Sequence, residues 1–443
     1  MAQLYPLKSK ERKSGFIVLN WFSEYSSDTS VKRNFLINVA DGSLYAFAMS
    51  FISLTVVMPV FVRAIGGSNV AVGLIPIFWT VGFNFPQILV ANYSSRFPLK
   101  KVLLLKTALG QRLPWLLLAA LSYFVLESAN SSTGLIIFFF CFLLAAVAGS
   151  INLPGWFDLV AKLTPVKLRG RLFASRVIFG AVLGIVGGWY VKVVLGHWQY
   201  PHSFSLLFLS AFLVMMVSYV FLTLIKEDKP DMQEKHMSYG EFFRMLPGIL
   251  KKEKNFRNFL IADSLLIIAL MGEVFYSLNA LKKFSLPDSY VGNFTIIIMT
   301  FSIVGNIFFG YLGDHFGHKL NMLLGACFTT MACLAALMAP DAASYSLVFI
   351  GSAFTAGVYQ LSKLPIIAEL CAEENRPTYV ALSNMISSPF SLAGLFGGYI
   401  ANRYGYNMVF TLAAIFAGSS ALWLFFAVKE PRKNAVQEIT EEA

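Results

Sequence analysis

The chain has 443 residues, 57% of them hydrophobic and only 13% charged, with 35 Lys and Arg against 24 Asp and Glu for a formal net charge of +11. Soluble domains carry about 45–50% apolar and about 25% charged residues, so a mean hydropathy of +0.65 excludes an ordinary water-soluble globule. The cysteines (Cys141, Cys327, Cys333 and Cys371) have neither metal-ligand spacing nor a disulfide framework, and the histidines fall in loops or at helix ends, so no cofactor is expected.

In chain order, residues 1–33 are basic and polar, with one apolar patch at Phe16–Leu19, and read as a cytoplasmic tail without a cleavable signal peptide. Twelve apolar stretches follow, at approximately 34–62, 69–92, 101–126, 133–160, 172–195, 203–225, 257–281, 289–311, 318–338, 344–370, 378–402 and 406–428. About 20 residues rising 1.5 Å each cross a hydrocarbon layer roughly 30 Å thick, so each stretch is a predicted transmembrane helix. Their hydrophobicity is continuous rather than alternating, which excludes a β-barrel. The longest charged segment, Lys226–Lys254, separates the sixth stretch from the seventh. It reads as a linker, and the spacing of Ser238 and Glu241 predicts a short surface helix over Phe242–Leu250. The expected domains are a tail (1–33), a six-helix bundle (34–225), a linker (226–256), a second bundle (257–428) and a tail (429–443).

The basic residues are unevenly placed. Five (Arg63, Lys192, Lys282, Lys283 and Arg403) fall in loops on the side away from the termini, and three (Lys106, Arg112 and Lys363) lie within spans. The rest are on the side of the termini, so the positive-inside rule predicts cytoplasmic termini on a multi-pass protein of the plasma (inner) membrane. The basic balance is topology, and no nucleic acid is expected as partner.

The chain repeats itself. Arg-Asn-Phe-Leu-Ile occurs at Arg33–Ile37 and again at Arg257–Ile261. SRFPLKK (Ser95–Lys101) corresponds to DHFGHKL (Asp314–Leu320), and Arg169 to Arg376. GIVGGW (Gly184–Trp189) in helix five corresponds to GLFGGY (Gly394–Tyr399) in helix eleven. The order is preserved throughout, and six spans return the chain to its starting side, so the halves are parallel repeats. Their glycines permit close helix approach, with packing between the halves as the simplest role.

Two parallel six-helix bundles joined by a cytoplasmic loop resemble the major facilitator superfamily. The most specific local feature is GYLGDHFGHK, where Gly310, Asp314, Gly317 and Lys319 match the family's signature between the second and third helices of a half. The first half departs from it, with Ala91, Ser95 and Pro98 at the corresponding places. The resemblance implies an all-α membrane protein of twelve transmembrane helices, and a cytoplasmic gating motif in which Asp314 accepts from amides at the start of a neighbouring helix, with Arg169 or Arg171 adding a charged contact. It also implies that helices one, four, seven and ten line a central cavity. Carried onto this sequence, that gives Asp41 and Tyr45, Asn152, Glu273 and Tyr276, and Tyr359 and Gln360; Gln87 after Pro86 is a further polar group for the cavity.

A charge near the bilayer centre costs about 2.5–3.5 kcal/mol on insertion scales. Asp41 and Asp263 sit at similar depth, about 12 and 9 Å past the repeated arginines. Arg112 lies about 17 Å into helix three, and the preferred pairing is Asp41 with Arg112. Glu273, with no Lys or Arg within one turn, is the better candidate to carry a proton. The function expected is secondary active transport of a small amphipathic solute by alternating access, driven by a proton or solute gradient, by a monomer. No GxxxxGK[ST] motif supplies direct ATP drive. The alternative is a non-transporting receptor or assembly protein on the same fold, with an occluded apolar centre and Asp41, Arg112 and Glu273 all locked in pairs; no nucleophile–base constellation marks an enzyme.

Overall fold

The computed structural model describes residues 29–94, 99–227, 248–372 and 375–431. Most of the expected tails (1–28 and 432–443) and the capping pattern at Ser238 lie outside them, as does most of Phe242–Leu250. The regular structure of the described residues is all helical, and no strand occurs among them. In chain order the helices are α1a (Thr29–Phe51), α1b (Val57–Ala64), α2 (Asn69–Ser94), α3 (Lys100–Phe124), α4 (Ser131–Leu163), α5 (Val166–His197) and α6 (His202–Leu224). The second set is α7a (Lys254–Ala269), α7b (Tyr276–Lys283), α8 (Tyr290–Phe316), α9 (His318–Met338), α10 (Ala342–Glu369), α11a (Arg376–Ser387), α11b (Ala393–Tyr404) and α12 (Tyr406–Phe426). Among the described residues, ten helices are long and apolar enough to cross a membrane by length and composition. The arrangement is that of a multi-pass, all-α membrane protein.

Three spans expected as single helices are interrupted. Pro59 lacks an amide and its ring excludes the carbonyl of residue i−4, and α1 breaks at 52–56 just before it. α7 passes through a 3-10 turn, Leu270–Phe275, containing Gly272, and α11 through another, Ser388–Leu392, containing Pro389. Both residue types weaken a helix interior. Elsewhere local signals agree with the fold: Asn130 caps α4 by accepting from the Thr133 amide, and Asp341 forms a capping box with Ser344 at the start of α10.

The repeated pentapeptide has a structural use. Asn34 donates to the carbonyl of Lys226 at 3.1 Å, and Arg33 to that of Leu224 at 2.8 Å, tying α1a to the end of α6. In the second half Asn258 donates to the carbonyl of Ala427 at 2.7 Å, tying α7a to the end of α12. Each half is thus closed at the same corner by the same residue.

The glycine repeats also serve one geometry twice. On α5, Gly184 faces Met299 and Gly188 faces Gly292 and Ile296 of α8, while Gly187 faces Ser50 of α1a. On α11b, Gly394 and Gly398 face Gly73, Asn69 and Val70 of α2, while Gly397 faces Met271. A methyl at Gly188 would stand 2.9 Å from the Gly292 carbonyl oxygen, and one at Gly398 would stand 2.5 Å from that of Asn69. Backbones therefore touch across both seams between the first six spans and the last six, at the end away from the termini. Polar bonds reinforce that end: Asn69 receives the Tyr406 hydroxyl at 3.0 Å and donates its amide to Asn402 at 3.2 Å.

A bulky residue at Gly73 should hold this end apart. With native cysteines replaced, a cysteine placed at Thr55 should react several-fold faster with an impermeant maleimide from that side in Gly73→Leu; equal labelling would count against the seam. Asn258→Ala should cost about 1 kcal/mol, the ordinary net worth of one such hydrogen bond, and lower the Tm in detergent.

Candidate functional site

All three helix interruptions border one cavity of about 290 Å³. Leu54 and Thr55 come from the break in α1, Leu270, Met271 and Glu273 from the turn in α7, and Ser388 and Ser391 from the turn in α11. α2 supplies Ile75, Trp79 and Asn84 from the other half, and α10 supplies Lys363. The cavity lies between the halves, beneath the glycine contacts at Gly73 and Gly394. Asn84 donates to the Ser388 hydroxyl at 3.2 Å, a polar bond from one half to the other at the cavity wall. An interrupted helix leaves backbone groups unpaired within its own turn, which membrane proteins tolerate where a cavity or other protein satisfies them.

Beside the cavity stands a compact ionic cluster. Asp263 on α7a takes the Lys363 ammonium at 3.0 Å, the Ser387 hydroxyl at 2.6 Å and the Tyr359 hydroxyl at 2.5 Å. Tyr359 and Lys363 are four residues apart, hence on one face of α10, and the ammonium lies 5.2 Å from the centre of the Tyr359 ring. Further along α7, Glu273 is the acid in the cavity lining and accepts from the Ser352 hydroxyl. Among the described residues no cation lies within ion-pairing distance of Glu273.

The first half carries a different cluster, and it corrects the expected pairing of Asp41 with Arg112. The direct partner of Asp41 is Arg176 on α5, at 3.4 Å. Arg176 also donates to the backbone and side-chain oxygens of Asn38, both at 2.6 Å, and lies 4.5 Å from the Trp156 ring centre. It reaches Asp41 because Gly42 has no side chain: a Cβ there would stand 2.5 Å from Nη2 and closer still to Cζ. Arg112 is committed elsewhere, to the carbonyls of Met215 at 2.8 Å and Ala108 at 2.9 Å. Among the described residues its hydrogen-bonded link to Asp41 runs through Ser218, which accepts from Arg112 at 3.1 Å and donates to Asp41 at 2.7 Å.

The other expected cavity residues are dispersed. Tyr45 accepts from Gln111 at 2.7 Å, Asn152 accepts from Thr107 at 3.1 Å, and the Tyr276 hydroxyl pairs with the Cys333 sulfur at 3.2 Å. Gln360 is exposed on α10, and the side chain of Gln87 lies outside the described residues. In the gating motif, Arg169 folds back on the carbonyls of Ala161 and Thr164 at 2.6 and 3.1 Å. Lys319 donates to the Phe425 carbonyl at 3.5 Å, and Gly317, at φ 91°, packs against Glu430. Gly310 and Asp314 lie in the last turns of α8, Asp314 exposed. Arg176 and Ser387 carry no sign in the sequence, and Lys363 is legible there only as a basic residue within a span, at i, i+4 spacing from Tyr359.

Residues 266–442, all in the second half, match the family model described as Major Facilitator Superfamily, the family that the sequence resembles. Among solved structures, a variant of the nucleoside transporter NupG superposes with a TM-score of 0.69 at 11% identity, covering 90% of this chain and 100% of that one. A D-xylose-proton symporter superposes at 0.65 and 14% identity, covering 91% and 99%. A bacterial homologue of the human lysosomal transporter Spinster, in an inward-facing, occupied conformation, superposes at 0.66 and 12%, covering 91% and 98%. No curated protein matches the sequence.

Breaking one side of a buried ion pair costs about 3–5 kcal/mol, because the surviving charge is left uncompensated. Asp41→Asn and Arg176→Gln should each lower the Tm in detergent more than half as much as the double change does. The corresponding cycle between Asp41 and Arg112 should show weaker coupling; equal coupling in both cycles would refute the assignment.

Proposed function

We propose that the protein is a secondary transporter of a small, amphipathic solute, working by alternating access across the plasma (inner) membrane with both termini cytoplasmic. The observation that carries this reading is a cavity between two repeated bundles, walled on one side by backbone-to-backbone glycine contacts and lined by both apolar and ionisable groups. In this topology the closed end is the external one. Rocking the bundles apart would break the seams at Gly73–Gly394 and Gly188–Gly292 and expose the same cavity to the outside. The domain limits at 34–225 and 257–428 follow from this rocking, with the intervening segment as the tether.

Glu273 is the coupling group in this reading. It lies in the cavity lining, its neighbour Ser352 offers a hydroxyl rather than a counter-charge, and a proton is the simplest cation to neutralise it in an apolar setting. Protons would then supply the driving force, and the transporter would act as a monomer. A non-transporting receptor would agree with the locked Asp41 and Arg112, but it expects Glu273 to be locked in an ion pair as well, and the partner of Glu273 is the Ser352 hydroxyl.

The decisive measurement is solute flux into proteoliposomes across a compound panel, with and without an imposed proton gradient. Wild type should respond to the gradient, and Glu273→Gln should lose that response by at least tenfold while retaining exchange at equilibrium. Equal gradient-driven flux in both would remove Glu273 from coupling, and absence of flux for every compound would favour the receptor.

A further inference from the structure

We infer that Lys363 is the anion-binding group of the cavity, and that the cargo is a small organic anion with an apolar body and one carboxylate head. This rests on the transporter reading and names the substrate class. Lys363 is the basic residue in the cavity lining, and it is also ion-paired with Asp263. An ammonium has three donors, and the Asp263 contact occupies one of them.

Asp263 does not depend on Lys363 for its solvation. The hydroxyls of Tyr359 and Ser387 donate to its two oxygens, one each. An incoming carboxylate can therefore draw the ammonium away without leaving a bare buried carboxylate, the situation that makes breaking such pairs costly. Lysine suits the exchange, since a compact charge on a flexible stem can turn from one acceptor to another. Arg176 in the other half is the contrast: both oxygens of Asn38 and the Trp156 ring hold it in place, and it is not in the lining.

The rest of the cavity limits the cargo further. Glu273, the opposite charge in the lining, lies beyond Asp263 along α7 by roughly 15 Å of helix rise, so a molecule of amino-acid size cannot meet both ends. Between them the wall mixes Trp79 and Met271 with serine hydroxyls, which suits a short apolar body. A volume of about 290 Å³ is small for a ligand pocket and fits a compact solute.

The test is thermal unfolding of the purified full chain in detergent with benzoate and hexanoate, their amides benzamide and hexanamide, and benzylamine. The carboxylates should raise the Tm by several degrees at millimolar concentration, and the amides and amine should not. Lys363→Met should weaken the carboxylate response at least tenfold. Asp263→Asn, which removes the competing anion, should tighten it several-fold. The double variant Asp263→Asn/Lys363→Met, free of an uncompensated charge, should stay folded and lack the response. The inference is overturned if neither carboxylate stabilises the protein, if the amides or benzylamine stabilise it equally, or if the folded double variant still responds. Lys363-dependent anion binding without flux of any anion would remove the transporter reading alone. Flux of neutral solutes untouched by Lys363→Met would remove this inference alone.

Discussion

The contact on which the structure depends is backbone against backbone, α5 on α8 and α11b on α2. In lipid, helices gain little from hydrophobic association, so close van der Waals approach between small residues becomes a principal source of attraction. Here glycines meet glycines at Gly188–Gly292 and Gly394–Gly73, and no side chain larger than hydrogen fits at these points. The same triplet spacing gives each helix a second duty: the middle glycine packs on its own half, at Ser50 and at Met271. One short motif thus sets both the integrity of each bundle and the distance between bundles. The cavity lies under the seams, bordered by the interruptions in α1, α7 and α11.

The ionic groups divide by how firmly they are held. Asp41, Arg176, Ser218 and Arg112 form a chain in which the arginines also bind backbone carbonyls, so moving one member disturbs several bonds. That chain fixes α1, α3, α5 and α6 relative to each other. The cluster at Asp263 is built differently, with two hydroxyls around the carboxylate and a single flexible cation facing a cavity. The first resembles a fixed strut in its bonding and the second an exchangeable contact. The two halves descend from one pattern in sequence, yet they place their acids in settings with different uses.

Much of this was legible before any coordinates. The twelve apolar stretches, the repeat, the glycine motifs and the signature at Gly310–Lys319 led to the right architecture, because span length and helix packing in lipid are strongly constrained by local composition. The interruptions at Pro59, Gly272 and Pro389 were missed, since each sits inside an otherwise continuous apolar run and hydropathy does not register a lost hydrogen bond. The pairing of Asp41 failed for another reason. Depth along a helix can be read from residue number, but the facing direction of Arg112 depends on the rotation of α3 against α6, where the Met215 carbonyl holds it.

The sequence alone determined that this protein lives in a membrane, that it is a doubled six-helix unit, and which ionisable groups fall within its apolar stretches. These follow from transfer free energies and from the 1.5 Å rise of a helix, both of which are local. Only the tertiary structure decided which charges meet, that Lys363 rather than Asp41 borders the cavity, and where the backbones of the two halves touch. Those are relations between helices far apart in the chain, set by packing angles and by the few places where a missing side chain lets another residue through.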